Sequence, residues 1–411
     1  MQEGLRKSIH AVLAMAFAPP HPFCLFVLLL PISTLAAQAS GTISLGSSLS
    51  TNDANPSWPS PSGDFAFGFY RLPNHDGFLL AIWFNKIAEK TVVWSANGDH
   101  PVPAGSKAEL TTDGRLVLVD SQGKQAWAAE PINGTVSSAA MLDTGNFVLL
   151  GKDTAAIAWQ SFDYPTDTIL PSQTLRLGGE LSSRLTKGDY SKGKFRVAAQ
   201  AGGKLAFYLV NVPTGFRYSN YWTGDNPSMA AAEDSNYWRT TLDFDGVLRK
   251  YVYSSSRGGW SVASFEPANI CTAVISDKGS GACGFNSYCK LDDELMPTCN
   301  CPPRYSFIDS NNTLSDCKPD FSPQSCNSGG ESQSFDLVEI VNLDWPLADY
   351  ELYNPMSEQG CRQVCLADCF CAVSIFIDGN CWKKKIPLSN GKLDASVNRK
   401  AFIKVPKGTD K

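Results

Sequence analysis

The sequence has few of the residues on which acid–base chemistry and electrostatic binding depend. Charged residues make up 18% of the 411 positions, below the ~25% of an average soluble domain, and only four residues are histidine. The formal net charge of −5 gives no basic footprint for nucleic acid. Neither an Asp-Phe-Gly magnesium motif nor a Gly-x-Ser-x-Gly nucleophile elbow occurs. These absences predict a protein that is not an enzyme, needs no cofactor and does not bind nucleic acid.

Cysteine is absent from residues 40–270, and twelve of the thirteen cysteines lie between Cys271 and Cys381. The cysteine-free half must therefore depend on its own hydrophobic core. An even number of clustered cysteines is expected in an oxidised, exported chain. Zinc binding is the competing interpretation, but no histidine lies near the cluster. We therefore place a domain boundary near residue 270 and expect disulfides beyond it.

Residues 1–39 have the order of a secretory signal peptide. Arg6 and Lys7 precede an apolar run from Phe23 to Leu30, and small residues follow at 34–39. Cleavage is expected after Ala36 or Ala39; an uncleaved N-terminal anchor is the alternative. No later run reaches the ~20 apolar residues that span a bilayer. The sequence thus predicts a secreted, extracellular product.

Alternating apolar residues before residue 270 predict β-strands. Phe65, Phe67 and Phe69 share one strand face, and apolar residues of helical period are nearly absent from this half. A turn with a glycine also recurs, at Gly114, Gly145 and Gly246, and each glycine precedes a tryptophan by 13 or 14 positions. Such self-similarity predicts equivalent hairpin sheets whose tryptophans meet in a shared centre. The alternative is that Asp-Gly turns simply recur, as they do in many β proteins. The tryptophans concerned are Trp127, Trp159 and Trp260.

The strings at 64–69, 93–97 and 142–149, followed by Trp159-Gln-Ser-Phe-Asp-Tyr-Pro-Thr-Asp-Thr168, resemble the bulb-type, mannose-binding lectin domain. They are most similar to the form found in plant S-domain, or G-type lectin, receptor-like kinases. The resemblance implies a mainly β fold: tandem bulb-lectin β-prisms followed by small disulfide-rich modules. It places a lectin domain at 40–164 and a second, divergent copy at 165–268.

The family's sugar pocket uses Gln-x-Asp-x-Asn-x-Val-x-Tyr on one strand, so that alternate side chains face the sugar. Mapped onto this chain, each copy keeps only part of that motif. The loss of polar groups, each contributing about 0.5–1.5 kcal/mol, predicts a weak or altered site. The alternative is that Asp113 and Asn146 are only turn residues. The matching residues are Asp113 and Val117 in one copy, and Asn146 and Val148 in the next.

The cysteine-rich half resembles two modules of the same receptors: an EGF-like module at 269–318 and a PAN/apple module at 326–405. Cys361 and Cys365, four residues apart, suit one face of a helix. The sequence before Cys271 lacks the ligands of calcium-binding EGF modules, so no metal is expected. The resemblance implies the pairs Cys271–Cys289, Cys283–Cys299, Cys301–Cys317, Cys361–Cys381, Cys365–Cys371 and Cys326–Cys369.

The resemblance also implies the partners. It predicts a glycan or glycoprotein ligand, and homo- or hetero-association with receptor kinases through the PAN module. Lys383–Lys385 are either a contact patch or a solvated loop. Glycan acceptor sequons start at Asn133 and Asn311. A longer form, with a membrane helix and a kinase domain, would lie at the plasma membrane.

Two hypotheses follow. In the first, the chain is a kinase-less S-domain lectin receptor ectodomain that recognises an extracellular carbohydrate or glycoprotein. In the second, it is a secreted protein partner, or decoy, for membrane receptor kinases and binds no sugar.

Overall fold

The computed structural model describes residues 41–408, apart from 74, 131–133, 153–155, 226–236, 276 and 327–333. The predicted signal peptide at 1–39 and the sequon at Asn133 lie outside these residues. Strands dominate the described chain, so the predicted mainly β class is confirmed. Among the described residues, no helix is both long enough and apolar enough to cross a membrane.

Residues 42–160 form three antiparallel four-stranded sheets. Their strand orders are β3-β4-β5-β6, β2-β7-β8-β9 and β1-β10-β11-β12. Alternation of apolar residues drives this arrangement, because one face of each sheet is buried in a common core. The strands are β1 (Thr42–Ser44), β2 (Ser48–Ser50), β3 (Ser57–Pro59), β4 (Phe65–Arg71), β5 (Phe78–Phe84), β6 (Val92–Ser95), β7 (Lys107–Leu110), β8 (Leu116–Val119), β9 (Gln125–Ala128), β10 (Val136–Met141), β11 (Phe147–Gly151) and β12 (Ile157–Gln160).

Three tryptophans meet where the three sheets converge, one from the last strand of each. Trp94, Trp127 and Trp159 lie 6.0–6.1 Å apart between ring centroids, at interplanar angles of 71–74°. The predicted shared centre therefore exists, but Trp260 is not part of it. Trp260 instead packs on Phe84 at 5.2 Å. The prediction missed Trp94 because β5 and its connection to β6 are longer than their counterparts in the other two sheets, so Trp94 follows Gly77 by 17 positions instead of 13 or 14.

Residues 168–266 form two sheets, with strand orders β13-β19-β20-β21 and β14-β15-β16-β17, and β18 pairs with β16. The first of these sheets packs on the three-sheet core through Tyr237, whose hydroxyl donates to Asp64 at 2.6 Å. In the part of the chain that the structure describes, a region of two sheets at 168–266 thus follows the region of three sheets at 42–160. The strands are β13 (Thr168–Ile169), β14 (Glu180–Arg184), β15 (Lys192–Ala199), β16 (Lys204–Asn211), β17 (Phe216–Arg217), β18 (Trp222–Asp225), β19 (Tyr237–Leu242), β20 (Leu248–Ser254) and β21 (Gly259–Glu266).

The cysteine-rich residues form two regions that share a sheet. Strand order β23-β22-β31-β27 joins a hairpin of the first region to two strands of the second, and β22 runs parallel to β31. Strands β24 and β25 pair with each other, and β26-β32-β29-β30-β28 form the last sheet. The elements are α1 (Ile270–Ala273), β22 (Tyr288–Leu291), β23 (Pro297–Asn300), β24 (Tyr305–Phe307), β25 (Cys317–Pro319), β26 (Phe335–Val341), β27 (Leu343–Asp344), β28 (Asp349–Tyr353), α2 (Glu358–Ala367), β29 (Val373–Ile377), β30 (Asn380–Lys384), β31 (Gly391–Leu393) and β32 (Lys400–Pro406).

All twelve cysteines of these regions form disulfides. Cys361 and Cys365 lie on the buried face of α2, as their spacing predicts, and the side chain of Ser357 caps the helix by accepting from the amide of Gly360. The pairs are those implied by the family resemblance: Cys271–Cys289, Cys283–Cys299, Cys301–Cys317, Cys326–Cys369, Cys361–Cys381 and Cys365–Cys371.

The three consecutive lysines at 383–385 do not form a solvated loop. Lys383 and Lys384 are buried at the end of β30, where carboxylates neutralise them. Lys383 pairs with Glu351 at 2.5 Å and also with Asp368. Lys384 pairs with two aspartates, and only Lys385 is exposed. Both interpretations of the run are therefore wrong for Lys383 and Lys384, because each of these lysines is buried and paired with acidic neighbours.

Candidate ligand-binding site

Of the four residues that match the family's sugar motif, two are buried valines and one, Asn146, makes its hydrogen bonds inside the protein. Asp113 is exposed in the turn between β7 and β8, and a hydrogen bond from the Thr111 side chain lowers its pKa. Val117 is buried in β8, and Val148 in β11 is only 1% exposed. A side chain that is closed off in this way cannot give a sugar ring an apolar surface. The structure therefore leaves Asp113 as the accessible member of the four.

Asn146 uses its amide group inside the protein. Its Nδ2 donates to Gln160 Oε1 at 2.8 Å, and its Oδ1 accepts from the Ser161 hydroxyl at 3.2 Å and the Phe162 amide at 3.3 Å. These contacts fasten the start of β11 to the segment that follows β12. In the divergent copy, Asp245 occupies the position of Asp113, and it is buried and accepts two hydrogen bonds from Arg249.

A larger concave site lies beside the three tryptophans. This cavity of about 510 Å³, here called the tryptophan cleft, is bounded by the ends of β6, β9 and β12, by residues 163–167 and by β14. Its size falls within the range of about 300–1,000 Å³ that is usual for small-ligand sites. The lining residues are Val92, Trp94, Ser95, Ala96, Gly98, Asp99, Trp127, Ala128, Glu130, Trp159, Asp163, Tyr164, Pro165, Thr166, Asp167, Gly179, Glu180, Ser182, Ser183, Arg184, Tyr190 and Lys192.

Tyr164 gives the tryptophan cleft an accessible aromatic surface. Its ring stacks on Trp159, with centroids 5.6 Å apart and planes 14° from parallel, yet it remains 45% exposed. The Trp94 indole N–H donates to the Tyr164 carbonyl at 2.8 Å and fixes the backbone beneath the ring. Trp94 and Trp159 are themselves nearly buried. They therefore support Tyr164 rather than present a surface of their own.

One wall of the cleft is held by a buried ion pair. Arg184 Nε lies 2.5 Å from Asp167 Oδ2, and its other nitrogen donates to the Val92 carbonyl at 3.1 Å. Burial is the largest influence on the pKa of Arg184 and lowers it, but the charge and hydrogen bond of Asp167, together with Tyr190 and Asp243, raise that pKa above its ordinary value. Arg184 thus joins β14 to Asp167, just before β13, and to β6. Asp167, which lies in the string that resembles the lectin domain, is thus a buried ion-pair partner.

The other carboxylates of the cleft differ in how they are held. Glu180 pairs with Arg196 at 3.3 Å and with Arg217 at 3.0 Å. Asp163 accepts from Gln160 at 3.1 Å, and Asp99 accepts from the Lys192 amide at 2.8 Å. Glu130 is exposed at the rim. Within the described residues, no group of three or more His, Cys, Asp or Glu side chains is placed to hold a metal ion.

An aromatic face beside several hydrogen-bond acceptors suits a ligand with one apolar face and many hydroxyls. The ring covers carbon-bound hydrogens while carboxylates accept from hydroxyl groups. The cleft is thus built for non-covalent recognition.

The sequence of this chain is similar to those of known lectins and lectin receptor kinases. Residues 91–186 match the D-mannose binding lectin family, and the match extends past the predicted domain boundary at residue 164. The G-type lectin S-receptor-like serine/threonine-protein kinase LECRK3 of Oryza sativa subsp. indica is 44% identical over 93% of this chain and 53% of its own length. Kinase RLK1 of Arabidopsis thaliana, with the same family designation, is 36% identical over 89% of this chain and 50% of its own length.

The chain is similar in sequence to the G-type lectin S-receptor-like kinases. It spans about half the length of the curated relatives it matches. A solved monomeric monocot mannose-binding lectin from Gastrodia elata shares 18% identity, with 30% of this chain and 96% of the lectin covered and a TM-score of 0.23.

Sequence reasoning missed the tryptophan cleft, although one signal was present. The string from Trp159 to Thr168 was noticed as a family signature, and it contains both Tyr164 and Asp167. What the sequence could not show is that β14 folds back over this string and supplies Arg184 and Glu180.

Proposed function

We propose that the chain recognises an extracellular carbohydrate, free or on a glycoprotein, through the tryptophan cleft. One observation carries the proposal: all lining residues of the cleft except Tyr190 and Lys192 lie within the segment that matches the D-mannose binding lectin family. Six disulfides support an oxidising, extracellular location. The part of the site that recognises the ring would be Tyr164, with Glu130 and Asp163 as acceptors.

The test is calorimetry and a glycan array with the purified chain. Tyr164→Ala removes the exposed ring, and Glu130→Gln removes one carboxylate without changing its shape. We expect each to weaken saccharide binding at least fivefold. Matched controls are Phe216→Ala, an exposed ring outside the cleft, and Glu89→Gln, an exposed acid outside it. Equal losses in the controls, or no saccharide bound by the wild-type chain, would defeat the proposal.

A second candidate function is supported by the closed strand positions. Because Val148 is buried and Asn146 is occupied by internal hydrogen bonds, the family's sugar motif has little surface to offer. A secreted partner or decoy of receptor kinases would bind protein and no sugar, so it would not need an exposed sugar motif. Capture of receptor ectodomains that is unchanged by excess free saccharide and by Tyr164→Ala would favour this function over the first.

A further inference from the structure

A second cavity lies in the cysteine-rich half, and all its lining residues follow the segment that matches the lectin family. Its volume is about 230 Å³, and it lies between the β24–β25 hairpin and the last sheet. For comparison, an apolar cavity of about 150 Å³ holds a benzene molecule. The cavity therefore has room for one aromatic ring and a small polar group. It is lined by Tyr305, Pro319, Phe321, Pro323, Gln324, Phe335, Cys369, Phe370, Cys371, Ala372, Lys385, Ile386 and Lys404.

Aromatic side chains form much of the wall. The rings of Tyr305 and Phe321 meet edge to face at 5.7 Å, and Phe335 lies 6.4 Å from Phe321. Phe370 is 65% exposed at the same cavity, although large apolar side chains are normally covered. Such a wall favours a planar aromatic ligand, which can meet these rings edge to face or stacked.

The cavity also contains a buried cation. Lys404 is only 4% exposed, and its Nζ donates to Gln324 Oε1 at 2.8 Å and to the Asp368 carbonyl at 2.6 Å. Both acceptors are neutral, and an ammonium has three protons to donate. Within the described part of the chain, no carboxylate lies within ion-pair distance of Lys404, whereas its neighbours Lys383 and Lys384 each have two.

The charge around Lys404 favours an anion. Burial lowers the pKa of Lys404 to about 8, while Asp368 acts to raise it and Lys383 to lower it. The ammonium is therefore mostly charged at neutral pH. The Asp368 carboxylate is already engaged by Lys383 and by the Tyr350 hydroxyl at 2.8 Å. Among the described residues that line the cavity, the one other ionic side chain is a second cation, Lys385.

We propose that this cavity binds an aromatic carboxylate, with the ring against Tyr305, Phe321 and Phe335 and the carboxylate on the Lys404 ammonium. A buried charge is costly unless it is paired, so a carboxylate would supply the ionic partner that the described residues do not. The same chemistry occurs in a free aromatic acid and in a peptide that ends in phenylalanine. This site does not depend on carbohydrate binding in the tryptophan cleft.

The proposal is tested by calorimetry on the purified full chain at pH 7, with benzoate and with neutral benzamide. We expect one benzoate per chain and at least tenfold weaker binding of benzamide. Lys404→Met keeps the side-chain length and removes the charge, so it should abolish the preference for benzoate. Lys318→Met, at an exposed lysine of β25 outside the cavity, should keep it.

A second variant allows the proposal to be tested even if the Lys404→Met protein does not fold. Ile386→Trp adds bulk at a half-exposed wall residue, leaves Lys404 in place and should block benzoate. Titration with N-acetylphenylalanine and with its amide separates the two sources: tighter binding of the acid than of benzoate supports a peptide terminus, and the reverse supports a free acid. Binding of neither acid, or an unchanged benzoate preference in Lys404→Met, would overturn the proposal.

Discussion

Gly145 shows why glycine recurs at the turn of each repeat. It has a φ of +84°, and a Cβ at this position would lie 2.3 Å from Leu170 Cδ1 and about 3 Å from the ring of Phe65. Gly114 and Gly246 have nearly the same φ, at +85°. Two separate constraints therefore act at Gly145: a left-handed backbone and the close approach of the core.

The first prediction separates these two constraints. Gly123 has a φ of +82° but nothing within 4 Å of the added Cβ. Gly123→Ala should cost only the left-handed strain of about 1–2 kcal/mol. Gly145→Ala should cost a further 1–3 kcal/mol or so, because it also overpacks the core. Urea unfolding of the two variants measures the difference, and equal losses would show that the core accommodates the methyl group.

A second residue-scale prediction concerns the two polar matches to the sugar motif. Asn146→Ala removes one donor and one double acceptor from a buried network and should lower the free energy of unfolding by about 1–3 kcal/mol. Asp113→Ala, in an exposed turn, should change it by no more than about 0.5 kcal/mol. Neither should alter saccharide affinity if the tryptophan cleft is the site. Loss of saccharide affinity in a folded Asn146→Ala protein would indicate that the sugar binds at the family's strand motif and not in the tryptophan cleft.

At the scale of elements, the buried pair of Arg184 and Asp167 fixes β14 against the segment that precedes β13, and Arg184 also holds β6. The side chains are 20% and 5% exposed, so either one alone would leave a charge in a poorly hydrated place. The exposed pair of Arg176 and Asp163 lies at the same cleft, with the arginine 74% exposed. The two pairs allow burial to be compared at one site.

The third prediction is that these arginines differ in their contribution to stability. Arg184→Met should destabilise the chain by about 3–5 kcal/mol, because Asp167 keeps its charge without a partner. Arg176→Met should cost about 0–1 kcal/mol, since solvent screens the exposed pair. Denaturant unfolding at pH 7 gives both values. The double variant Arg184→Met/Asp167→Leu removes both charges. If it is less stable than Arg184→Met alone, the unpaired charge of Asp167 is not the cause of the loss of stability.

Elements also set the limit of what the sequence could predict. The strands, their two-residue alternation and the paired tryptophans Trp127 and Trp159 follow from local patterns. Trp94 did not follow, because β5 and its connection to β6 are longer than their counterparts and break the spacing from glycine to tryptophan. The tryptophan cleft as a whole could not be predicted, although the string from Trp159 to Thr168 contains part of it, because its other wall depends on how β14 packs against β6. The implied disulfide pairs came from resemblance, since six cysteines alone allow fifteen pairings.

At the scale of the whole molecule, Lys194 connects the two-sheet region to the cysteine-rich half. Its Nζ donates to the Cys283 carbonyl at 3.0 Å. Burial lowers the pKa of this lysine to about 7, although Asp316 acts to raise it. The charged form is therefore disfavoured at this junction when the chain is folded.

The fourth prediction follows from the sign of that shift. The pKa is lower in the folded chain than the ordinary 10.5, so between about pH 7 and 10.5 the unfolded state binds more protons and stability rises with pH. Wild type should therefore gain stability relative to Lys194→Met between pH 6 and pH 9. Thermal or urea unfolding at the two pH values tests this. A difference that does not change with pH would mean that the ammonium remains charged in the folded chain.

The sheet shared by β22 and β31 has a consequence for synthesis. Tyr288 pairs with Gly391, so the β22–β23 hairpin leaves the ribosome about 100 residues before its parallel neighbour. Until then its outer edge is open, and open strand edges invite pairing with other chains. Nascent chains should thus be most prone to misassembly while residues 292–391 are being translated, and a chain truncated just before residue 391 should aggregate on expression.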